Sequence, residues 1–370
     1  MAHLRRPPDG PCRRDHRRRD RGHPRRGHRH HQQDLPGIRR RLVGPVLMPR
    51  YDEHDYESYE RPRRRTRPRT KDRPTYDDAE GATVVTVDRG RFTCLADSGL
   101  TVTAMKSRPL GRKGVVVGDR VRLVGDTSGA DGSLARIVTV DERTSVLRRT
   151  ADDDDPVERV IVANADQLVI VTALADPEPR TGLIDRALVA AYDAGMDPLL
   201  CLTKSDLASP DELLGAYEPL GVEWVVTRRG DDVTPVLERL TGRSSVLVGH
   251  SGVGKSTLVN ALVPDADRET GGVNAVTGRG RHTSTNAVML ALPGGGWIVD
   301  TPGIRSFGLA HVEVDRLIEA FPDLHDLTLA CPRGCTHAGD EPECGLDEAG
   351  PDQVARVASF RRLLDSRSEG

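Results

Sequence analysis

The stretch Gly249-His250-Ser251-Gly252-Val253-Gly254-Lys255-Ser256 matches every fixed position of the phosphate-loop pattern G-x-x-x-x-G-K-[ST]. Residues 244–248 before it form a short apolar run typical of a buried parallel strand, and residues 257–262 continue with helical spacing. In this context the glycines let backbone N–H groups curl around a phosphate, and the helix N-terminus adds a partial positive charge. A chance glycine-rich turn would not place strand, loop and helix in this order. The stretch therefore predicts a nucleoside triphosphate site.

Two further segments complete the predicted phosphate and magnesium site. Lys255 is expected to reach the β- and γ-phosphates, and the Ser256 hydroxyl to bind Mg²⁺. Asp300-Thr301-Pro302-Gly303 matches the pattern D-x-x-G, in which the Asp holds the Mg²⁺ water shell and the Gly N–H faces the γ-phosphate. A hydroxyl from residues 278–285, between these motifs, is expected to complete the magnesium shell. The candidates, in order of preference, are Thr283 and Thr285.

A guanine-recognition motif lies earlier in the chain. Thr203-Lys204-Ser205-Asp206 follows a predicted strand and resembles the pattern [NT]-K-x-D, with Thr203 in place of the commoner Asn. The Asp206 carboxylate can accept from both N1–H and the exocyclic amine of guanine, a pair of donors that adenine lacks. The stem of Lys204 is expected to lie over the base. An ordinary helix N-cap is the alternative, and the phosphate loop in the same predicted sheet favours guanine.

The order of these motifs predicts a circular permutation. Ras-like GTPases run phosphate loop, switch threonine, D-x-x-G and guanine motif, whereas here the guanine motif precedes the phosphate loop by about 45 residues. The surrounding pattern alternates strands and helices, as in a doubly wound sheet with helices on both faces. The predicted strands are 167–172, 198–202, 223–227, 244–248, 287–292 and 296–299, and the predicted helices before the phosphate loop are 182–194, 210–217 and 234–240.

Residues 81–149 have a different, β-rich pattern. Apolar and polar residues alternate over 82–87, 100–105 and 120–124, residues 115–118 lead into the last of these strands, and 135–140 closes the set. About five strands in some seventy residues, separated by Gly- and Asp-containing turns, predict a small barrel of the OB type. Such barrels bind oligonucleotides, oligosaccharides or nothing, so the barrel by itself does not give a function.

A cluster of thiols near the C-terminus predicts a metal site. Cys331, Cys335, His337 and Cys344 supply three thiols and one imidazole within fourteen residues, which suits a closed tetrahedral Zn²⁺ site. Disulfides are the alternative, and an intracellular chain with a His as fourth ligand disfavours them. Cys12, Cys94 and Cys201 stand apart. A helix over 351–365 is expected to pack against this module.

The N-terminal part has a different composition. The net charge of −2 hides +13 in residues 1–75 and −15 in the rest. Residues 1–47 are rich in Arg, His and Pro without apolar periodicity, which predicts disorder, and the change of composition at Met48 predicts that Met48 is the natural start. The arginine-rich arm 61–69 either contacts nucleic acid or is a solvated tail.

Nothing in the sequence predicts membrane insertion. No stretch approaches the roughly 20 apolar residues that span a bilayer, and residues 1–47 lack the apolar core of a signal peptide. We therefore expect a soluble, cytoplasmic protein with no membrane partner.

The barrel, the permuted GTPase motifs and the Cys₃His module, in this order, resemble the ribosome small subunit-dependent GTPase A (RsgA) family over roughly residues 80–365. The resemblance implies a GTP-hydrolysing enzyme that acts in late maturation of the small ribosomal subunit. It implies stimulation by the subunit and contacts with ribosomal RNA through the barrel and the zinc module. It also implies Mg²⁺ and one Zn²⁺ per chain as cofactors, GTP and GDP as ligands, and a monomeric chain.

The chain departs from this family in three respects. The zinc spacing is C-x₃-C-x-H-x₆-C where C-x₄-C-x-H-x₅-C is usual, a shift that preserves the span. The segment Thr227-Arg228-Arg229-Gly230, where a second guanine loop is expected, lacks the usual Ser-Ala, so no role is assigned to it. The folded part is acidic, so RNA binding must rely on local patches such as residues 61–69 and Arg279 with Arg281.

The architecture expected from the sequence is a multidomain chain: an N-terminal OB-fold β-barrel, a circularly permuted α/β P-loop GTPase domain and a zinc-binding helical module. The predicted ranges are 1–47 disordered, 48–79 basic arm, 80–150 barrel, 156–308 GTPase domain and 309–370 zinc-binding module. The residues expected to bind GTP are Thr203, Lys204, Ser205, Asp206, Gly249, His250, Ser251, Gly252, Val253, Gly254, Lys255, Ser256, Thr257, Asp300 and Gly303. The expected magnesium ligands are Ser256, Asp300 and Thr283, and the expected catalytic residues are Lys255, Thr283 and His282.

His282 is included among the expected catalytic residues because the usual water-orienting Gln is missing. In Ras-like enzymes this Gln follows D-x-x-G directly, and here the position is Ile304, which has no hydrogen-bonding side-chain group. A neutral imidazole can orient or accept from water near pH 7, so His282 is the candidate, with contact to RNA or solvent as the alternative. Two other functions stay open at this point, a P-loop ATPase or kinase and a GTP-binding assembly placeholder that scarcely hydrolyses.

Overall fold

The computed structural model describes residues 76, 78–110, 114–150, 158–263, 287–301, 309 and 312–368. These residues build an 11-stranded sheet, a separate two-stranded sheet and seven helices. The strands are β1 Glu80–Asp88, β2 Arg91–Ala96, β3 Thr101–Lys106, β4 Arg120–Gly125, β5 Ala135–Val140, β6 Val146–Thr150, β7 Glu158–Ala163, β8 Gln167–Ala173, β9 Asp197–Thr203, β10 Glu223–Val226, β11 Ser244–Val248, β12 Val288–Ala291 and β13 Trp297–Asp300. The helices are α1 Thr181–Asp193, α2 Asp211–Tyr217, α3 Thr234–Leu240, α4 Lys255–Leu262, α5 Val314–Glu319, α6 Pro322–Thr328 and α7 Val354–Ser368.

The first five strands form the predicted small barrel. They pair in the order β1–β2–β3–β5–β4, and an additional β1–β4 pairing closes the ring around a core of small and β-branched side chains. The sequence pattern did not identify β2, and residues 115–118 contribute one isolated bridge from Val117 to Val162 instead of a strand. β6 pairs with β7 outside the barrel ring. The structure confirms the OB-like barrel, while the predicted domain bounds stay predictions.

The remaining strands form the predicted α/β sheet in the order β10–β9–β8–β11–β13–β12. All are parallel except β12, which runs antiparallel to β13. β8 is buried along its whole length, as expected for a strand with helices on both faces. One face packs on α3 and α4, and the other packs on α1, α2 and the C-terminal helices. Parallel strands end at one edge, so the residues after β9, β11 and β13 meet there.

The C-terminal helix α7 packs on α1 as well as on the predicted zinc module. Arg362 Nε lies 3.2 Å from Asp185 Oδ2 of α1, and its guanidinium lies 5.0 Å from the centre of the Tyr217 ring. Asp185 is buried, and its other oxygen has no hydrogen-bond partner among the described residues. Burial raises the pKa of the Asp185 carboxyl, and the charge of Arg362 counteracts that rise. Arg362 therefore compensates a carboxylate that the fold has largely removed from water.

The Arg362→Ala variant is expected to lower the free energy of unfolding by about 1–3 kcal/mol near neutral pH, because it leaves a buried carboxylate uncompensated. A raised pKa in the folded state means that the folded protein binds a proton before the unfolded chain does. The free energy of unfolding therefore increases as the pH falls toward the pKa of an Asp in the unfolded chain, near 4. The difference in free energy of unfolding between wild type and Arg362→Ala should accordingly be smaller at pH 5.5 than at pH 7.5. Denaturant titrations of both proteins at the two pH values measure this.

Arg243→Ala is the control. Arg243 pairs with Asp197, whose side chain is 72% exposed, so the change should cost about 0–1 kcal/mol. An Arg362→Ala deficit that equals this value, or that stays constant between the two pH values, contradicts the role given to Arg362.

Candidate nucleotide and metal sites

The phosphate loop joins β11 to α4 in the predicted geometry. A Cβ added to Gly249 would lie 2.4 Å from the carbonyl oxygen of Val171, so only glycine lets the end of β11 approach β8 this closely. Gly252 and Gly254 have φ angles of +87° and +94°, which side chains disfavour. α4 begins at Lys255, so its free N–H groups face the loop. The arrangement forms a concave, electropositive cradle for a phosphate.

The D-x-x-G segment reaches the same cradle. Lys255 Nζ forms an ion pair with the Asp300 carboxylate and lies 3.5 Å from the carbonyl oxygen of Thr301. The Thr301 hydroxyl is buried and donates to the Leu247 carbonyl oxygen at 2.8 Å, which fixes the end of β13 to β11. Ser256 is exposed at the start of α4. The sheet thus brings the Lys255 side chain together with the carboxylate of Asp300, which lies 45 residues further along the chain.

The guanine motif is tied directly to the phosphate loop. Thr203 is the last residue of β9, is buried, and donates its hydroxyl hydrogen to the Val253 carbonyl oxygen at 2.6 Å. The threonine that replaces the commoner asparagine therefore makes the cross-loop hydrogen bond with its hydroxyl. Lys204 has φ +58° and donates from Nζ to the carbonyl oxygen of Asp176. The motif turns sharply away from the sheet, and Asp206 lies exposed beyond it.

The segment after β10 lies beside this motif, at the place where a second guanine loop was expected and to which no role was assigned. The Ser205 N–H donates to the Thr227 carbonyl oxygen at 3.4 Å, and the Thr227 N–H donates to Leu202 at 2.8 Å. Arg228 pairs with Asp231 at 2.7 Å, and this contact raises the pKa of the Arg228 guanidinium. The position of this segment in the chain was the signal for its placement. A loop that follows β10, the parallel neighbour of β9, must lie at the same edge of the sheet as the loop after β9.

Several predicted site residues fall outside the described part of the chain. They are His282, Thr283, Thr285, Arg279, Arg281, Gly303 and Ile304, together with the arm 61–69, Met48 and Cys12.

The four predicted metal ligands come together. The donor atoms of Cys331, Cys335, His337 and Cys344 all lie within 4.8 Å of one another. The three sulfur atoms lie 3.6, 3.3 and 3.7 Å from His337 Nδ1. A tetrahedral ion with Zn–S bonds of about 2.3 Å and a Zn–N bond of about 2.0 Å requires S···N separations of about 3.5 Å. The cluster can therefore hold a metal ion of this kind with little rearrangement, despite the shifted spacing.

Groups outside the ligand set support the cluster. The Gly345 N–H donates to the Cys331 sulfur at 3.0 Å, and a Cβ at Gly345 would lie 2.1 Å from the Leu327 carbonyl oxygen. Arg361 of α7 donates to the His337 carbonyl oxygen at 3.2 Å. Contacts of this type fix ligand orientation in metal sites. The glycine directly after Cys344 was the sequence signal for the contact between Gly345 and the Cys331 sulfur. The contact between Arg361 and His337 follows only from the packing of α7.

Burial sets the protonation of the ligands in the metal-free cluster. It raises the pKa of the Cys335 thiol to about 11 and lowers the pKa of the His337 imidazole. The imidazole is therefore neutral and ready to ligate near pH 7, whereas the Cys335 thiol must lose a proton when a metal binds. Metal binding at this site is expected to release protons and to weaken as the pH falls.

Fold and sites together define a circularly permuted P-loop GTPase with an attached barrel and a Cys₃His module. The RsgA GTPase family model matches residues 140–310. The small ribosomal subunit biogenesis GTPase RsgA 1 of Vibrio vulnificus (strain YJ016) is 36% identical over 271 residues, which cover 70% of this chain and 76% of that protein. The chain belongs to the RsgA family.

Two further comparisons agree with this assignment. The small ribosomal subunit biogenesis GTPase RsgA of Ectopseudomonas mendocina (strain ymp) is 45% identical over 221 residues, which span 56% of this chain and 64% of that protein, slightly less than two thirds of its length. The crystal structure of YjeQ from Thermotoga maritima superposes with a TM-score of 0.60 at 28% identity and covers 79% of this chain and 99% of that one.

No helix within the described ranges combines the length and the apolar character that crossing a membrane requires.

Proposed function

We propose that this chain is an enzyme that hydrolyses GTP to GDP and phosphate during late maturation of the small ribosomal subunit. Its membership of the RsgA family supports this function. The observation that carries it is the Thr203–Val253 hydrogen bond, which joins a guanine-recognition motif to a phosphate loop in one sheet. The Asp206 carboxylate favours guanine over the adenine of an ATPase or kinase, because adenine lacks the pair of donors from which this carboxylate can accept. The subunit and its ribosomal RNA are the proposed macromolecular partners, and the proposed setting is the cytoplasm, with the chain acting as a monomer.

Different residues of the chain are proposed to bind the phosphates, the base and the magnesium ion. The turn Gly249–Gly254 and the start of α4 hold the phosphates, Lys255 neutralises their charge, and Asp206 with Lys204 holds the base. The Ser256 hydroxyl and the Asp300 carboxylate are oxygen donors of the kind that Mg²⁺ prefers, and we propose Thr283 as a further ligand. The bound ion supplies electrostatic stabilisation of the charge that develops on the phosphates. His282 is the proposed group that orients the attacking water.

The Cys331–Cys335–His337–Cys344 cluster is the proposed site of one structural Zn²⁺ per chain. Its closed set of four ligands leaves no position for substrate, so the ion would stabilise the module and not take part in hydrolysis.

His282→Ala is expected to reduce subunit-stimulated GTP turnover by about 100-fold or more, because water loses its orienting group. GTP affinity and subunit binding should persist, because neither depends on that imidazole in this proposal. Multiple-turnover assays with and without small subunits, alongside co-sedimentation, measure all three. His250→Ala is the control: the phosphate loop binds phosphate through backbone N–H groups, and the His250 ring contacts the Ser251 carbonyl oxygen, so this variant should keep its stimulated turnover. Full stimulated turnover in His282→Ala removes His282 from the mechanism, and wild-type protein that never hydrolyses GTP leaves only the assembly placeholder.

A further inference from the structure

Strand β1 belongs to the barrel and to the GTPase sheet at once. Val84 packs in the barrel core, whereas its neighbour Val85 packs in the core of the α/β sheet, in the same buried cluster as Met289 and Val299. A β-bulge between Val84 and Thr86 interrupts the pairing of β1 with β2. Successive side chains of a strand point to opposite faces, so the two valines reach two different cores, and the bulge adds one residue and bends β1 at this point.

Beyond the bulge, β1 continues the GTPase sheet. Thr86 pairs with Val288 of β12, Val288 pairs with Asp300 of β13, and Asp300 pairs with Leu247 of β11. These four residues form one row perpendicular to the strands. Neighbouring strands lie about 4.8 Å apart, so the barrel residue Thr86 is about 10 Å from the carboxylate-bearing Asp300. A barrel strand therefore ends in the row that carries the proposed magnesium ligand.

A second contact holds the barrel on the opposite side. The Asn164 side chain donates to the Gly118 carbonyl oxygen at 2.9 Å, and a Cβ at Gly118 would lie 2.0 Å from the carbonyl oxygen of Ala163. Asp119, fully buried, accepts two hydrogen bonds from Arg143 at 2.7 and 2.8 Å. The barrel is thus held at two places by close backbone contacts, and a rotation of the barrel must act on the β1–β12 ladder.

We propose that β1 positions Asp300 through the Thr86–Val288–Asp300 row, so that forces on the barrel change how the nucleotide site holds Mg²⁺. This inference rests on the proposed function, because the force would come from docking of the barrel on the ribosomal subunit. Val85 and Thr86 are positioning residues and contact neither nucleotide nor metal. Packed interiors transmit strain, and coupling between two sites is reciprocal in binding free energy. Bound nucleotide with Mg²⁺ would therefore also bias the orientation of the barrel.

The adjacent valines supply a matched pair of variants. Val84 is 0% exposed and Val85 is 1% exposed, so Val84→Ala and Val85→Ala remove the same groups from equally buried positions. The Mg²⁺ concentration that gives half-maximal binding of a fluorescent GDP analogue is measured for both. We expect Val85→Ala to raise this Mg²⁺ concentration about 5-fold or more, which is the lower end of the range for coupling between two sites. Val84→Ala should leave the Mg²⁺ concentration unchanged. Thr86→Pro, which disrupts β1 at the residue that pairs with Val288, should act like Val85→Ala.

Hydrogen exchange without nucleotide or metal gives a second readout. The amides of β12 and β13 should exchange faster in Val85→Ala and Thr86→Pro than in Val84→Ala, at matched distance from each melting temperature. Equal Mg²⁺ dependence and equal exchange in Val84→Ala and Val85→Ala would overturn the proposal, as would an unchanged Mg²⁺ dependence in Thr86→Pro. Both readouts need neither hydrolysis nor subunits. A failure of the proposed function would appear instead as wild-type protein that binds the GDP analogue but shows no GTP turnover.

Discussion

Cys331→Ala is expected to release the metal from the Cys₃His cluster and to unfold the zinc module. Structural zinc contributes about 10–16 kcal/mol in small zinc domains, more than the whole stability of most domains. Cys344 and Leu346 lie in the same buried cluster as residues of α1, so the loss should also lower the melting temperature of the GTPase domain. Subunit binding should be abolished, while most nucleotide affinity remains, because the phosphate and guanine loops lie at the ends of β9 and β11.

Elemental analysis, thermal unfolding, subunit co-sedimentation and nucleotide binding test this expectation together. Wild-type protein should hold about one Zn²⁺ per chain, as one four-ligand site requires. Cys201→Ala is the matched control, because Cys201 is a fully buried free thiol of β9 outside the cluster. It should keep its metal and its subunit binding. Metal-free Cys331→Ala protein that binds subunits normally would show that the module is misinterpreted.

Asp206→Asn is expected to weaken GTP binding and to favour xanthosine triphosphate. The carboxylate accepts from two guanine donors, whereas an amide can donate to the additional oxygen of xanthine. Losing a charged hydrogen-bonded pair costs about 2–4 kcal/mol, which corresponds to about a 30-fold to 700-fold loss of affinity. The reversal of preference distinguishes base recognition from a general loss of structure, since a misfolded loop would bind neither nucleotide.

Competition of GTP, ATP and xanthosine triphosphate against a fluorescent GDP analogue measures the three affinities. Asp231→Asn is the control, because Asp231 lies in the neighbouring loop and pairs with Arg228 rather than facing the base in this proposal. It should change GTP affinity little. Unchanged GTP affinity in Asp206→Asn would refute the guanine assignment, and equal competition by ATP in the wild type would favour the ATPase alternative.

The sequence predicted the parts of the fold whose signal is local. The phosphate loop, the α/β alternation and the Cys₃His cluster each lie within a short segment, where residue type and spacing already constrain the backbone. The pattern failed at β2, Arg91–Ala96, although its burial alternates regularly, because Leu95 occupies an outward position where the pattern expects a polar residue. It also placed the C-terminal helix against the zinc module alone, because nothing local indicates the Asp185–Arg362 pair that binds this helix to α1.

The sequence by itself predicted which chemistry is present: a phosphate loop, a guanine motif, a carboxylate for magnesium and four candidate metal ligands. Only the tertiary structure decided how these groups are joined. The hydroxyl of Thr203 reaches Val253 because β9 and β11 flank β8, and the two residues are 50 positions apart in the chain. The row from Thr86 to Asp300 likewise depends on the pairing of Thr86 in β1 with Val288 in β12. Such contacts depend on the pairing register of distant strands, which residue spacing along the chain does not encode.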